Sequence, residues 1–411
     1  MRILIVTQYF WPESFRINDL ALGLRDSGCA VTVYTGKPNY PGGRFFEGYG
    51  FLKRPLDDYQ GIPVIRVPLL PRGPGKGLGL ALNFISFALY ASLLAPWRVR
   101  GAFDAILVYE PSPVTVALPA LMLKLFRRTP VLLWVQDLWP ETLSATGAVR
   151  APWILKLIGG LVRFIYRHCD RILVQSRAFR EPVVRRGANP ARILYFPNSA
   201  EAIYQPVPAG AAEVDGLPAG FRVMFAGNIG AAQDFETIIS AAERLKSHVD
   251  IHWIVIGDGR MLPWVREEIA ARGLQPVVHL LGRHPVEAMP RFFSAADVML
   301  VTLKKDPIFA MTVPTKLQSY LACARPVVAA LDGEGAQVVR EAGAGIVVPP
   351  QDPAALAEAV LAVHRSSAEE RAAMGRRGRV YFERNFERGM LLNHLRRWLA
   401  ELAGDSASCA S

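Results

Sequence analysis

Lys304-Lys305-Asp306-Pro307, Met311-Thr312-Val313-Pro314-Thr315-Lys316-Leu317-Gln318-Ser319-Tyr320-Leu321-Ala322 and Ala324-Arg325-Pro326-Val327-Val328-Ala329 form the stretch that decides the fold. An apolar run at 296–303 predicts a strand leading into the first lysines. A helix is entered at Pro314-Thr315-Lys316, and a second apolar strand follows at 326–331. A loop that leaves a strand's C-terminal end and feeds a helix N-terminus is where open α/β sheets hold ligands. The free N–H groups of that first turn favour a phosphate, and Lys316 adds a point charge. The same pattern also suits an ordinary βαβ connection whose lysine is simply solvated.

Working outward, apolar runs alternate with helical patterns almost throughout, which predicts parallel sheets. Strands are expected at 3–7, 30–34, 63–68, 105–109, 131–135 and 171–175, with helices at 15–26, 113–126, 153–167 and 177–186. A proline- and alanine-rich passage at 197–220 reads as a linker. Strands then recur at 221–226, 252–256, 277–281, 298–301 and 327–330, separated by helices at 235–245, 263–272, 286–294 and 354–364. The expectation is an α/β chain of two doubly wound, Rossmann-like domains, 1–200 and 221–375. Helices from 376 to 411 would pack back toward the first domain. Ligands would sit in the cleft between the two, facing the strand ends.

A chain of 411 residues, half of them hydrophobic, can bury two such cores. Cys29, Cys169, Cys323 and Cys409 show no metal or redox spacing and read as thiols of a reducing compartment. Met1-Arg2 passes directly into Ile3-Leu4-Ile5-Val6, a first strand and not a secretory leader. Net charge is +11, concentrated in residues 1–200, which hold 25 Lys and Arg against 12 Asp and Glu; residues 201–411 hold 22 against 24. A basic half suits nucleic acid or an anionic membrane. No nucleic-acid motif accompanies it, so the membrane reading is preferred.

That preference rests on residues 77–96, which contain no charge. The length qualifies as a membrane span, yet Asn83, Ser86 and Ser92 interrupt it and the βαβ pattern resumes at Ala105. A helix partly buried and partly dipping into the membrane interface is expected, ahead of a core helix and of a true span. Arg66, Arg72, Lys76, Arg98 and Arg100 bracket it. The aromatic and basic helix from Trp153 to His168 fits the same face, or else packs as an ordinary amphipathic helix on the sheet.

Three consecutive strands end in glycine turns: Gly227-Asn228-Ile229-Gly230, Gly257-Asp258-Gly259-Arg260 and Leu281-Gly282-Arg283-His284. Glycine permits close backbone approach and the helix starts favour a diphosphate, so an anionic ligand is expected along this edge. In the first half, Ser14 is positioned to cap a helix, with Glu13 and Arg16 projecting toward the cleft. Asp137 and Glu141, in Trp134-Val135-Gln136-Asp137-Leu138-Trp139-Pro140-Glu141, are candidates for acid/base work or for sugar hydroxyls, or else for helix capping. Glu110 is a third strand-end carboxylate with the same ambiguity. Asp57-Asp58 reads as an ordinary loop pair. No metal spacing, nucleophile elbow or Walker loop is present.

Taken in order, these segments resemble the retaining GT-B glycosyltransferases of family 4. Within that family the chain looks most like the bacterial subgroup that builds O-antigen, capsule or colanic-acid-type polysaccharide, including fucosamine transferases. The resemblance covers the whole length. It rests on Gln8-Tyr9-Phe10-Trp11-Pro12-Glu13, Lys37-Pro38-Asn39-Tyr40-Pro41, Asp137-Leu138-Trp139-Pro140-Glu141, Gly227-Asn228-Ile229-Gly230 with Gln233, Gly257-Asp258-Gly259 and Val313-Pro314-Thr315-Lys316. It implies a UDP-sugar donor, an N-acetylated hexosamine such as N-acetyl-fucosamine or GlcNAc, held by the C-terminal domain. Asn228, Ile229 and Gly230 would approach the diphosphate or sugar, Gly257, Asp258 and Arg283 would border the nucleotide, and Lys304, Thr315 and Lys316 would hold phosphate. The acceptor implied is a polyprenyl-diphosphate-linked saccharide on the N-terminal domain, at the cytoplasmic face of the inner membrane. Asp137 and Glu13 would act there, with Arg16 and Glu141 beside them. No metal or other cofactor is implied.

Aligned on Pro314-Thr315-Lys316, the family's two glutamates fall on Met311 and Ser319, neither of which can act as a carboxylate. Glu334 is the expected replacement at the ribose. That departure keeps two other readings open: a scaffold subunit that lost catalysis, and a non-hydrolysing UDP-sugar epimerase, against which the apolar helix argues.

Overall fold

The computed structural model describes residues 1–73, 77–208 and 214–408. Lys76 and Cys409 lie outside the described residues. The chain divides into two compact units, Met1–Pro197 with Gly389–Ser411, and Asn198–Arg388.

In the first unit the strands are β1 (Arg2–Val6), β2 (Ala30–Gly36), β3 (Leu56–Tyr59), β4 (Ile62–Val67), β5 (Ala105–Glu110), β6 (Val131–Val135), β7 (Arg171–Val174) and β8 (Ile193–Tyr195). They form one sheet in the order β3-β4-β2-β1-β5-β6-β7-β8, parallel except for the antiparallel pair β3–β4. Helices α1 (Arg16–Asp26), α2 (Gly77–Arg98), α3 (Leu118–Arg127), α4 (Glu141–Ala145), α5 (Pro152–His168) and α6 (Arg180–Arg185) connect them. β1, β5 and β6 are continuous apolar runs because helices cover a parallel sheet on both faces.

The second unit carries β9 (Phe221–Ala226), β10 (Ile251–Ile256), β11 (Val278–Gly282), β12 (Val298–Thr302), β13 (Val327–Ala330) and β14 (Gly345–Val348), in the all-parallel order β11-β10-β9-β12-β13-β14. Its helices are α7 (Phe235–Arg244), α8 (Leu262–Ala271), α9 (Met289–Ala295), α10 (Pro307–Ala310), α11 (Thr315–Ala322), α12 (Gly333–Ala342), α13 (Pro353–Arg365) and α14 (Ala368–Asn385). Two apolar layers sandwich this sheet. Met224, Leu317, Tyr320 and Val339 lie in one, and Phe225, Ile238, Trp253 and Val360 in the other.

The last helix, α15 (Arg388–Ser408), returns to the first unit. Leu391, Leu392, Leu395 and Leu399 join the cluster of Ile3, Phe10, Ile17 and Trp134. The boundary drawn at 376 therefore falls inside α14, whose Gly375 and Gly378 admit close packing on Ala324 and Leu321 of the second unit. The linker expected at 197–220 also supplies core: Ala200 and Tyr204 are buried, and Tyr204 stacks on Phe293 at 5.7 Å.

Both sheets have a switch point, where connections from adjacent strands leave in opposite directions. It lies between β1 and β5 in the first unit and between β9 and β12 in the second. Loops at the strand C-termini there form the crevice in which open sheets bind ligands.

Candidate functional site

In the second unit, the turn after β9 and the loop after β12 meet at the switch point. Lys304 N–H donates to the Ala232 carbonyl (3.0 Å), and the Thr302 hydroxyl donates to the Gln233 carbonyl. Lys316, in the first turn of α11, sends its Nζ across to Gln233 Oε1 at 2.8 Å and over the Phe225 ring at 3.6 Å. Burial alone pushes its pKa down to about 7. No carboxylate pairs with it among the described residues. A cation without a counter-charge at a helix N-terminus favours an anion.

Two of the glycines pack the turns against each other. A side chain at Gly257 would strike the Gly227 carbonyl oxygen at 1.9 Å, and one at Gly259 would strike the Ile229 carbonyl oxygen at 2.3 Å. These glycines let one βα turn lie on the next. Ile229 is the pin between them: it is buried, its N–H donates to Asp258 O (2.8 Å), and its carbonyl accepts from Met261 N (3.0 Å). Its side chain belongs to the core. Asn228, Asp258, Arg283, Lys304 and Thr315 are exposed along this edge, and Gly230 is half-buried.

The Asp332–Gly335 turn is the start of α12, with Asp332 at its N-cap and the half-buried Glu334 in its first turn. An acid there also complements the helix dipole. Met311 is half-buried and Ser319 buried. Gln318, passed over in the sequence, is 1% exposed, and neither amide atom has a hydrogen-bond partner. Gln233 is the residue that meets Lys316. Its spacing after the glycine turn was the available signal.

In the first unit the loop after β1 is closed by Glu13, which does not project toward solvent. It is 2% exposed, and its oxygens accept the backbone N–H groups of Asn39 (2.8 Å), Tyr40 (2.7 Å) and Phe10 (3.2 Å). Burial lifts its pKa to about 7 in spite of these bonds. Glu13 thus ties the β1 loop to the β2 loop, a structural clamp and not an exposed base. Ser14 is exposed and caps nothing; Phe15 occupies the N-cap of α1, with no side-chain bond. Arg16 is half-buried on α1.

Asp137 stands at the end of β6 and remains partly open. It accepts from Thr142 Oγ1 (2.5 Å) and Trp139 Nε1 (3.2 Å). Glu141, at the start of α4, is tied to Arg186 Nε at 3.0 Å. The discounted Asp57-Asp58 pair is part of β3, and Asp57 bonds to Tyr49 (2.6 Å) and to the fully buried Arg66 (3.1 Å). Arg66 therefore belongs to this interior network and not to a membrane-facing bracket.

α2 buries Phe87, Ala88, Ala91 and Ala95 together with two polar residues and exposes its larger aliphatic side chains. Asn83 and Ser86 face inward: Asn83 bonds to Gln8 (2.7 Å) and to the Leu70 carbonyl (2.6 Å), and Ser86 accepts from Leu70 N. Leu78, Leu82, Ile85, Leu89, Leu93 and Trp97, spaced along one helix face, are exposed. On the same unit, Leu125 and Phe126 of α3 and Trp153, Leu157 and Phe164 of α5 are also exposed.

Two parallel sheets with ligand loops at their switch points are the architecture of GT-B sugar transferases. The family model "Glycosyl transferase 4-like domain" matches residues 14–199, and "Glycosyl transferases group 1" matches residues 220–366. WbjE of Pseudomonas aeruginosa, named as a probable glycosyltransferase, is 30% identical over 69% of this chain and 70% of its own. WcaI of Escherichia coli K12, named for colanic acid biosynthesis glycosyl transfer, is 26% identical over 78% of this chain and 81% of its own. Among solved structures, Anabaena HepE in complex with UDP superposes with a TM-score of 0.71 at 15% identity, covering 98% of this chain and 100% of that one. Sucrose-phosphate synthase of Thermosynechococcus elongatus does so with 0.75 at 17%, covering 98% and 99%. The chain belongs to the GT-B glycosyltransferases of the family 4 type.

Proposed function

We propose that this enzyme transfers a sugar, an N-acetylated hexosamine such as N-acetyl-fucosamine or GlcNAc, from a UDP-sugar to a polyprenyl-diphosphate-linked saccharide in surface polysaccharide biosynthesis. The observation that carries the donor half is Lys316, a desolvated amine without a counter-charge at the β9/β12 switch point. A diphosphate supplies that counter-charge. The relatives' names, HepE's UDP complex and its UDP-glucose complex point the same way. The proposed reaction retains anomeric configuration by front-face attack, the leaving phosphate taking the acceptor's proton. The helix start and Lys316 stabilise that phosphate without a metal.

Glu334 is the proposed ribose contact. A thermal-shift panel of UDP-sugars is the test of the donor reading. The matching donor raises Tm in proportion to its occupancy, and Glu334→Ala halves that shift or more at the same concentration. A flat panel sinks the donor reading, and an unchanged shift in the variant sinks the role of Glu334. Met311 and Ser319 favour one competing reading, a scaffold without turnover. Radiolabel transfer by membranes separates the two.

The site of action proposed is the cytoplasmic face of the inner membrane. The outward leucines of α2 and the exposed Lys156, Arg163 and Arg167 of α5 in the same unit suit an anionic bilayer. Each buried leucine contributes roughly 1.5–3 kcal/mol. Ile85→Asp with Leu89→Asp is expected to abolish flotation with anionic vesicles while leaving Tm in solution nearly unchanged. Wild-type protein that fails to float overturns the reading.

A further inference from the structure

Glu110 is the last residue of β5, at the switch point of the first sheet. It is 0% exposed, and neither carboxyl oxygen has a hydrogen bond of good geometry. Nothing in the site as described above uses it. Its backbone carbonyl accepts Gln136 N–H at 3.0 Å, so the ends of β5 and β6 are joined and Asp137 follows immediately. The next turn holds Ser112 at φ 129°, a strained value for a residue with a side chain. That turn is locked to Asp137 through Trp139 Nε1, which reaches both Ser112 Oγ and Asp137 Oδ2 at 3.2 Å. From α5, Tyr166 is buried with its hydroxyl unpartnered.

An ionised carboxylate buried without hydrogen bonds or a cation is costly enough that the group takes up a proton instead. The neighbours strengthen this. Burial first, then the charge of Asp137, raises the Glu110 pKa well above the usual range; the Asp137 and Gln136 amides oppose the shift and do not offset it. Other groups around this pocket are Tyr109, Cys169 and Glu141, the last neutralised by Arg186. Asp137 is partly open, and although burial raises its pKa too, three side-chain donors around it, Thr142, Trp139 and Ser112, oppose the shift.

We propose that Glu110 and Asp137 are an acid–carboxylate pair, in which Glu110 is the buried, proton-bearing member that positions Asp137 as the single open carboxylate facing an acceptor hydroxyl. This deepens the reading that the first unit holds a saccharide acceptor. Glu110 is a positioning residue: it acts on Asp137 through its charge state and the join of β5 to β6, not on the substrate. Two ionised carboxylates at adjacent strand ends would repel, and Asp137 would be displaced from its bonds to Thr142 and Trp139.

The experiment has two arms on the full-length protein. In the first, infrared difference spectra at neutral pH look for a protonated-carboxyl C=O stretch. One component of that band is expected in wild type and in Asp137→Asn and is expected to be lost in Glu110→Gln, while the signal of Glu13, whose pKa is also raised to about 7, persists in all three. Absence of that component from wild type overturns the proposal, and this arm needs no sugar transfer, so it stands even if the donor or acceptor assignment fails. In the second, acceptor kinetics distinguish positioning from packing. Glu110→Ala is expected to raise acceptor KM about tenfold or more with donor KM little changed, while Glu110→Gln, which preserves a neutral hydrogen-bonding group, loses less than about a third of that effect. Glu110→Gln as damaging to acceptor KM as Glu110→Ala overturns it. If Glu110→Gln does not fold, Asp137→Asn spectra decide: a band that disappears there belongs to Asp137 and not to Glu110, and the proposal falls.

Discussion

Lys316→Met is expected to lower kcat/KM for the nucleotide sugar by about two to three orders of magnitude, the scale seen when one preorganised charge on a leaving group is removed. Tm is expected to hold or rise, because the variant removes a desolvated amine with no carboxylate beside it. The sign follows from the depressed pKa. In the free protein Lys316 is half-charged near pH 7, where an ordinary lysine is fully charged. A diphosphate favours the charged form, so donor binding pulls a proton from solution at pH 8 and much less at pH 6. Calorimetry in buffers of different ionisation enthalpy reads that uptake directly. Donor affinity should weaken as pH climbs above about 7, at most about tenfold per unit. A binding enthalpy independent of buffer at pH 8 would show that Lys316 does not meet the phosphate.

Glu13→Ala is the substitution with the largest expected effect on stability. It strands three backbone N–H groups, those of Phe10, Asn39 and Tyr40, inside the first unit. At roughly 1–3 kcal/mol for each unmet buried donor, partly relieved by relaxation, the loss is about 3–5 kcal/mol, or on the order of 10 °C in Tm. Glu13→Gln keeps an oxygen for Asn39 and Tyr40 and is expected to cost less. The pH dependence separates the two roles of the carboxyl. Its folded pKa, about 7, lies above the ordinary 4.5. Its contribution to stability is therefore full below pH 4.5 and declines as pH rises through 7, by about 3 kcal/mol in all. Glu13→Gln should flatten the denaturant-midpoint curve over that window. A curve as steep as wild type would mean that another group titrates there.

The parallel sheets were legible because strands buried on both faces must be apolar along their whole length, as in Ile3-Leu4-Ile5-Val6 and Val131-Leu132-Leu133-Trp134-Val135. β3 was not, because an edge strand of sequence Leu-Asp-Asp-Tyr has no such constraint and looks like a loop. α12 was missed for a local reason: Asp-Gly-Glu-Gly reads as a turn, and only the tertiary structure shows that Gly333, at φ 67°, begins a helix against the Ala310 carbonyl. Within the site, Lys316 was legible from helix-start chemistry. Its partners Gln233 and Phe225 were not, since they approach it across the switch point from β9 and its loop. Glu13 and Asp137 carried equal claims as sequence. Burial separates them, and burial is a property of the loops that close around a residue, 26 positions away in the case of Asn39.

The two faces of α2 have a practical side. Its exposed leucines are residues that the fold does not use, whereas Asn83 and Ser86 face inward beside Phe87, Ala88, Ala91 and Ala95. Efforts to ease handling of the protein in water should therefore place glutamate or lysine at Leu78, Leu82 and Leu93. Asn83 and Ser86, which look like blemishes in an apolar segment, should be left untouched. Making the helix more uniform by Asn83→Leu would raise its score as a membrane segment while cutting its hydrogen bonds to Gln8 and Leu70.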